Sequence, residues 1–528
     1  MFRFAALLPE YEASQFVPQP LHLVRVFRRS KAVHQLKKSL LFLLAGFNSQ
    51  LNEFDQNAVV AQPPAIRNLF NLFGHRRGKG HAAPDVSCGC HTTSIHHCGA
   101  PPLRSLGSGG RERTLVGELT SSQPCIMPCF ASMTKATQYE LRLAERMSRL
   151  GTETAFEVLN KARALERQGK KIIHLEIGEP DFDTPANVVE AGIGALRKGW
   201  THYGPSAGLL ELRQAIAEDV SRSRGVRVTS DEVVVVPGGK PIIFFALLAL
   251  ADAGDEIIFP NPGFPIYESM IDYVGARAVP IRLREEKDFS FDVDELASLI
   301  NDRTRLIILN SPQNPTGGVL SEQDIRDIAQ VIGDRNIMVL SDEIYSRLVF
   351  EGEHHSIISV PGFQERTILL DGFSKTYAMT GWRLGYGVMR ADLANQVARL
   401  MTNSNSCTAS FTQVAGIEAI RGDQASVDQM RAEFQRRRDS FVAGLNRIKG
   451  FSCRMPKGAF YAFPNITQTG WESKKLSEAL LEQAGVACLS GSSFGEFGEG
   501  YLRFSVANSF ENLNQALLQI DDWTKKHL

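Results

Sequence analysis

The chain has 528 residues, 43% apolar and 22% charged, with 58 Lys+Arg balancing 58 Asp+Glu. That length and mix give two or three domains with sizeable cores, and zero net charge offers no whole-protein case for nucleic-acid or membrane binding. The balance conceals a split, because residues 1–132 hold 14 Lys+Arg against 7 Asp+Glu, with five of the eight cysteines and seven of the twelve histidines.

Residues 1–132 show weak periodicity. Arg76-Arg77-Gly78-Lys79-Gly80 and residues 105–110 read as polar linker. The longest early apolar run, 39–47, falls far short of the roughly 20 residues a membrane helix needs. It also lies too far from the N-terminus for a simple secretory signal, with no small-residue cleavage site behind it. Cys88-Gly89-Cys90-His91 with His96-His97-Cys98 invites a zinc reading. The spacing fits none of the usual two-pair ligand patterns, so no metal is expected. Three readings stand for this stretch: a low-order basic extension, an organelle-targeting leader, or sequence upstream of a true start at Met133. Cys407, Cys453 and Cys488 show no paired spacing and are expected to be reduced thiols in a cytoplasmic protein.

From Met133 the character changes. Apolar residues at helical spacing predict a helix over 139–150 and another over 156–168, the second stopped by Gly169. A short strand over 172–177 breaks at Gly178-Glu179-Pro180-Asp181. Helices over 188–198 and 208–222 flank a loop, Thr201-His202-Tyr203-Gly204-Pro205. Four valines, 233–236, predict a strand that turns through Pro237-Gly238-Gly239 into an apolar helix over 241–250. Strands over 256–259, 306–309 and 337–340 follow. They run into Asn261-Pro262-Gly263-Phe264, Asn310-Ser311-Pro312-Gln313-Asn314-Pro315-Thr316-Gly317 and Ser341-Asp342-Glu343-Ile344-Tyr345. A further strand over 367–370 leads into Asp371-Gly372-Phe373-Ser374-Lys375-Thr376. Short, continuously apolar strands separated by helices imply a largely parallel sheet covered on both faces. From about 429, charged helices mix with short strands at 459–463 and 502–506, which reads as a smaller α+β domain. The expected division is 1–132, the extension; 133–180, an arm and part of the small domain; 181–428, the large domain; and 429–528, the small domain.

In open α/β sheets ligands sit beyond the carboxyl ends of the strands, and every polar motif above falls at such an end. Lys375, amid hydroxyls, glycines and Arg383, suits a Schiff-base amine beside a phosphate; a solvated surface lysine is the plainer alternative. Gly238-Gly239-Lys240 opens a helix, where free amides and the helix dipole favour phosphate, although many strand-to-helix turns contain Gly-Gly. Asp342 is either a helix cap or a carboxylate holding a protonated heterocyclic nitrogen. Tyr345 offers a phenol to the same ring, and Asn314 sits in a rigid turn suited to presenting one amide to a ring oxygen. Phe264 either stacks on that ring or packs in the core. Arg503, a charge within the apolar strand Tyr501-Leu502-Arg503-Phe504-Ser505, wants a carboxylate: a ligand's, or one of the protein's own.

Together these groups describe a pyridoxal phosphate site for amino acids. On Asn314-Pro315-Thr316-Gly317, Asp342-Glu343-Ile344-Tyr345, Ser374-Lys375-Thr376 with Gly381-Trp382-Arg383, and Leu502-Arg503-Phe504-Ser505, residues 133–528 resemble the class I aminotransferases of the aspartate aminotransferase family. The resemblance implies the fold-type-I architecture of pyridoxal-phosphate transferases and transamination between an L-amino acid and a 2-oxo acid. It gives Lys375 as covalent anchor and base, Asp342 and Tyr345 as ring partners, and Arg503 as clamp on the α-carboxylate. Gly239, Lys240, Phe264, Asn314, Ser374 and Arg383 complete the cofactor set. Gly178 matches a position whose backbone contacts the substrate carboxylate. Tyr203 matches one that reaches the neighbouring subunit's phosphate, which implies a homodimer. Lys240 also matches a position where some relatives place a lysine toward a distal substrate carboxylate, favouring aspartate and glutamate; the alternative is a lysine that merely neutralises phosphate. Alanine or aromatic substrates stay open, as does a carbon–sulfur lyase of the same fold. A regulator with an aminotransferase-like domain is disfavoured, because residues 1–132 lack a helix-turn-helix pattern. One departure from the family pattern is Gly372, where many members carry a hydroxyl phosphate ligand.

Overall fold

The computed structural model describes residues 141–528. In chain order its strands are β1 (Ile173–His174), β2 (Val233–Val236), β3 (Glu256–Asn261), β4 (Arg277–Arg284), β5 (Ser290–Phe291), β6 (Thr304–Asn310), β7 (Met338–Asp342), β8 (Thr367–Gly372), β9 (Gly385–Val388), β10 (Tyr461–Ala462), β11 (Val486–Ala487), β12 (Leu489–Ser490) and β13 (Leu502–Ser505). The helices that matter below are α1 (Thr154–Arg167), α2 (Ala186–Arg197), α3 (Leu210–Arg224), α4 (Lys240–Leu250), α5 (Ile266–Val274), α6 (Glu322–Ile332), α7 (Ala391–Ser404), α8 (Ser410–Arg421), α9 (Ala425–Leu445) and α10 (Phe510–His527).

Eight strands form one sheet in the order β2-β9-β8-β7-β6-β3-β4-β5. β8, β7, β6, β3 and β4 run parallel, whereas β9 lies antiparallel to both β8 and β2. The register sets Asn310 beside Asp342, Asp342 beside Leu370, and Gly372 and Val236 each beside Gly385. The carboxyl ends of β2, β6, β7 and β8 therefore share one edge of the sheet.

Alternation along each strand feeds two cores. Val234, Val236, Ile257, Leu306, Leu340 and Leu370 pack on one face with α4, α5 and α7. On the other face Val233, Val235, Leu369 and Val388 meet α3 and α8, while Ile258, Ile307 and Val339 meet α6. Each fully buried aliphatic side chain contributes roughly 1.5–3 kcal/mol relative to exposure. Helix α6 shows the local logic. Ser321 and Asp324 close a capping box, and Ile325, Ile328, Ala329 and Ile332 form the buried stripe. A separate core joins α9 and α10 to the three-stranded sheet β10-β13-β12, with β13 in the middle.

The helix expected over 139–150 is not formed from residue 141 onward. The chain there makes only a 3-10 turn, Glu145–Arg149, and every residue of it is exposed. The helical spacing is real, but no core among the described residues receives the apolar side. Helix α9 begins at Ala425, so the division expected at 429 falls inside a helix. Among the described residues no helix is long and apolar enough to cross a membrane, and no cluster of His, Cys, Asp and Glu is arranged for a metal. The Cys/His cluster at 88–98 lies outside the described residues. Cys407, Cys453 and Cys488 are free thiols.

Candidate active site

Lys375 stands one helical turn beyond β8, in Phe373–Thr376. Its Nζ donates to the Gly178 carbonyl at 2.5 Å and lies 6.0 Å from the Tyr345 ring centroid. Burial, reinforced by the Arg503 and Lys240 charges and opposed by Glu179, lowers its pKa to about 8. A solvated surface lysine would show none of this.

Asp342 ends β7 and is buried. No helix follows it, so it is not a helix cap. The Tyr267 hydroxyl, from α5, donates to its Oδ2 at 2.6 Å, and the Ile344 amide reaches Oδ1 at 3.3 Å. Burial outweighs these bonds and pushes the carboxyl up to about 6. Burial also drives the Tyr267 phenol well up, so it remains a donor.

Arg503, on β13, is buried, yet no carboxylate lies within ion-pair distance of it among the described residues. Its Nη1 donates to Asn314 Oδ1 at 3.1 Å, its Nη2 donates to the Glu176 carbonyl, and its Nε has no partner. The guanidinium lies 4.5 Å over the Tyr461 ring and 4.9 Å over Phe494. The Tyr461 hydroxyl is 2.7 Å from that of Tyr345. A Cβ on Gly178 would come within 2.1 Å of the Tyr461 hydroxyl, so only glycine lets the backbone approach here. Lys375, Tyr345, Tyr461, Asn314, Arg503 and the Gly178 carbonyl thus form one constellation. A desolvated guanidinium with a free N–H costs stability unless a ligand meets it.

The family model of the class I and II aminotransferases matches residues 170–520. The chain belongs to this family. An aspartate aminotransferase from Pyrococcus horikoshii is 41% identical over 382 residues, 72% of this chain and 96% of that protein. The aromatic-amino-acid aminotransferase 2 of Thermococcus litoralis is 37% identical over 390 residues, 73% and 99% of the two. The solved structure of the Thermus thermophilus aspartate aminotransferase with maleate aligns with a TM-score of 0.70 at 35% identity, covering 72% of this chain and 100% of that one. The chain is therefore an aminotransferase of the aspartate aminotransferase family, which uses pyridoxal phosphate.

The residues present fit that cofactor. Gly238 adopts φ +84°, and a Cβ there would sit 2.3 Å from Arg383 Nη2. The guanidinium therefore lies against the turn that opens α4. Arg383 donates to the Thr380 and Pro237 carbonyls at 2.8 and 3.5 Å and has no carboxylate partner among the described residues. It holds a φ of 55°, a region side-chain-bearing residues seldom adopt. Ser374 is buried, with no hydrogen bond from its hydroxyl among the described residues. An unpaired guanidinium, a free hydroxyl and helix-opening amides are the groups a phosphate requires. At Gly372 a Cβ would stand 3.0 Å from the Gly385 Cα and 3.3 Å from the Leu384 carbonyl. A side chain at this position would therefore pack tightly against β9.

Three expected site residues are placed differently from the rest. Lys240 Nζ lies 2.6 Å from Glu153 Oε1 and 5.3 Å above the Phe264 ring. Phe264 is half-buried and meets Tyr267 edge-on at 5.7 Å. Tyr203 is 89% exposed and makes no hydrogen bond from its side chain among the described residues. Sequence reading passed over Tyr267, Tyr461 and Glu153. Each acts on a group far away in the chain, and nothing local marks them.

Proposed function

We propose that this aminotransferase moves the amino group between dicarboxylic amino acids and their 2-oxo acids, aspartate and glutamate being the preferred donors. The observation that carries the transamination of amino acids is Arg503: a buried guanidinium with a free Nε and, among the described residues, no protein carboxylate, set beside Lys375 and Asn314. In our reading it clamps the substrate α-carboxylate in bidentate fashion. Bound pyridoxal phosphate supplies an aldehyde to take the amino group and a ring that draws electrons from the substrate's Cα. Lys375 Nζ would anchor that group and would serve as the base toward the Cα proton; a pKa of about 8 leaves part of it as base near neutral pH. Asp342, its Oδ2 fixed by Tyr267, would hold a proton at the ring nitrogen. Tyr345 and Asn314 would hold the ring oxygen, Phe264 would stack on the ring, and the Gly239 and Lys240 amides with Ser374 and Arg383 would hold the phosphate end. The Gly178 backbone borders the α-carboxylate.

The dicarboxylic preference rests on Lys240 as the cation for a distal carboxylate. It is supported by the maleate bound to the Thermus thermophilus relative and by the aspartate aminotransferases among the relatives. A second reading, for aromatic or other uncharged side chains, is favoured by the Glu153 partner that already meets Lys240 and by the Thermococcus litoralis relative. We further propose a homodimer in which Tyr203 serves the partner's phosphate. Exposed Tyr203, Leu141, Leu143 and Phe156 support a covered surface, and the three free cysteines suit a cytoplasmic enzyme. A donor panel with 2-oxoglutarate as acceptor tests the substrate reading. Oxo acid and glutamate should form in equal amounts, fastest from aspartate. Fastest turnover of an aromatic donor would favour the second reading, and pyruvate with ammonia would show a lyase instead.

A further inference from the structure

Lys240, read above as the cation for a distal carboxylate, already has a carboxylate partner in the protein, Glu153, to which the reaction as described gives no role. Glu153 immediately precedes α1, 87 residues before Lys240, and its carboxylate is 2.6 Å from Lys240 Nζ. Its side chain is largely buried, whereas that of Lys240 is half-exposed. Glu153 makes no capping bond to α1, so helix geometry does not explain its position. Its charge acts on Lys375, Arg503 and Tyr461, the groups that face the substrate.

We infer that Glu153 is a specificity-determining gate: the protein's own carboxylate occupies Lys240 where a substrate's distal carboxylate would bind. The inference rests on the reading of Lys240 given above. A dicarboxylate must displace Glu153 or leave it facing a like charge, and either lowers its affinity. A substrate with an uncharged side chain leaves the pair intact. Glu153 thereby narrows the gap between the two substrate classes that Lys240 alone would separate, and so broadens the range of donors.

The test is calorimetric binding of two unreactive analogues, maleate and 3-phenylpropionate, to the cofactor-loaded enzyme. Because the pair is half-exposed, Glu153→Gln should tighten maleate by about fivefold and leave 3-phenylpropionate within about twofold. Glu153→Ala should do the same if the glutamine variant folds poorly. Lys240→Met should weaken maleate by about tenfold and leave 3-phenylpropionate alone. If Lys240→Met weakens maleate while neither Glu153 variant tightens it, the gate is wrong and the dicarboxylate reading survives. If Lys240→Met leaves maleate unchanged, that reading fails and the gate with it. If the Glu153 variants tighten both analogues equally, Glu153 acts on general access and the specificity claim is overturned.

Discussion

Asp342 and Glu343 are neighbours, both carboxylates and both buried, yet the fold treats them in opposite ways. Glu343 is surrounded by donors. Arg224 Nε lies at 2.8 Å and His354 Nε2 at 2.9 Å, and the hydroxyls of Ser341 and Ser356 both bond its Oε1. Burial alone would raise its pKa, but the Arg224 and His354 charges and the hydrogen bonds prevail and hold it at about 2. Asp342 has a phenol and one long amide contact, and burial leaves it at about 6. The first carboxylate is satisfied by the protein and braces it. Arg224 also reaches Asp371, 3.6 Å away in the segment leading to Lys375. The second is left short of a cation, which is what the proposed role beside a protonated ring nitrogen requires. A buried charge completed by the chain belongs to the structure, and one left incomplete belongs to the chemistry.

Substitutions should separate these roles. The largest effect falls on the incomplete side: Lys375→Ala removes both anchor and base and should lower turnover by more than about 10⁴-fold, measured as oxo acid formed. Next, Glu343→Gln should leave Arg224 with only the more distant Asp371 and cost roughly 3 kcal/mol in denaturant unfolding, since the nearer partner of a buried pair is removed. Asp342→Asn should act in the reverse sense. Turnover should fall by about 10²- to 10³-fold. The cofactor-free protein should nevertheless gain roughly 1–3 kcal/mol at pH 8, because an ionised carboxyl is no longer held in a dry site. The sign follows from linkage. A carboxyl raised from 3.8 to about 6 favours folding below pH 4 and loses that contribution as pH rises through 6. The variant's advantage should therefore be absent near pH 4 and full above pH 6. Glu343, lowered from 4.5 to about 2, keeps its contribution above pH 4.5 and loses it progressively as pH falls from there through 2. Smallest, Tyr267→Phe should cost about tenfold in kcat/KM through the lost bond to Asp342. If Asp342→Asn and Glu343→Gln change apo stability in the same direction, the contrast fails.

Much of this was legible in the sequence, for physical reasons. The run of four β-branched valines, stopped by Pro237-Gly238-Gly239, favours a strand buried on both sides, and β2 spans those residues. Polar motifs at strand ends located Lys375, Asp342 and Asn314, because a parallel sheet exposes its loops at one edge. Strand β9 was not foreseen. Gly385-Tyr386-Gly387-Val388 lacks an apolar run, and its glycines answer to neighbours: a Cβ at Gly385 would meet Gly238 at 2.6 Å. Tyr267 and Tyr461 were invisible for a similar reason, since they meet Asp342 and Tyr345 across 75 and 116 residues. The apolar spacing at 139–150 misled, because spacing reports a side that wants cover and not whether this chain supplies it.

The claim beneath all of this is that the amine at Lys375 carries the cofactor. Loading the enzyme with pyridoxal phosphate, reducing it with borohydride and mapping the digest by mass spectrometry tests it directly. The account predicts one phosphopyridoxyl group per chain, on Lys375. A label on Lys240 or any other lysine, or none at all, would contradict it.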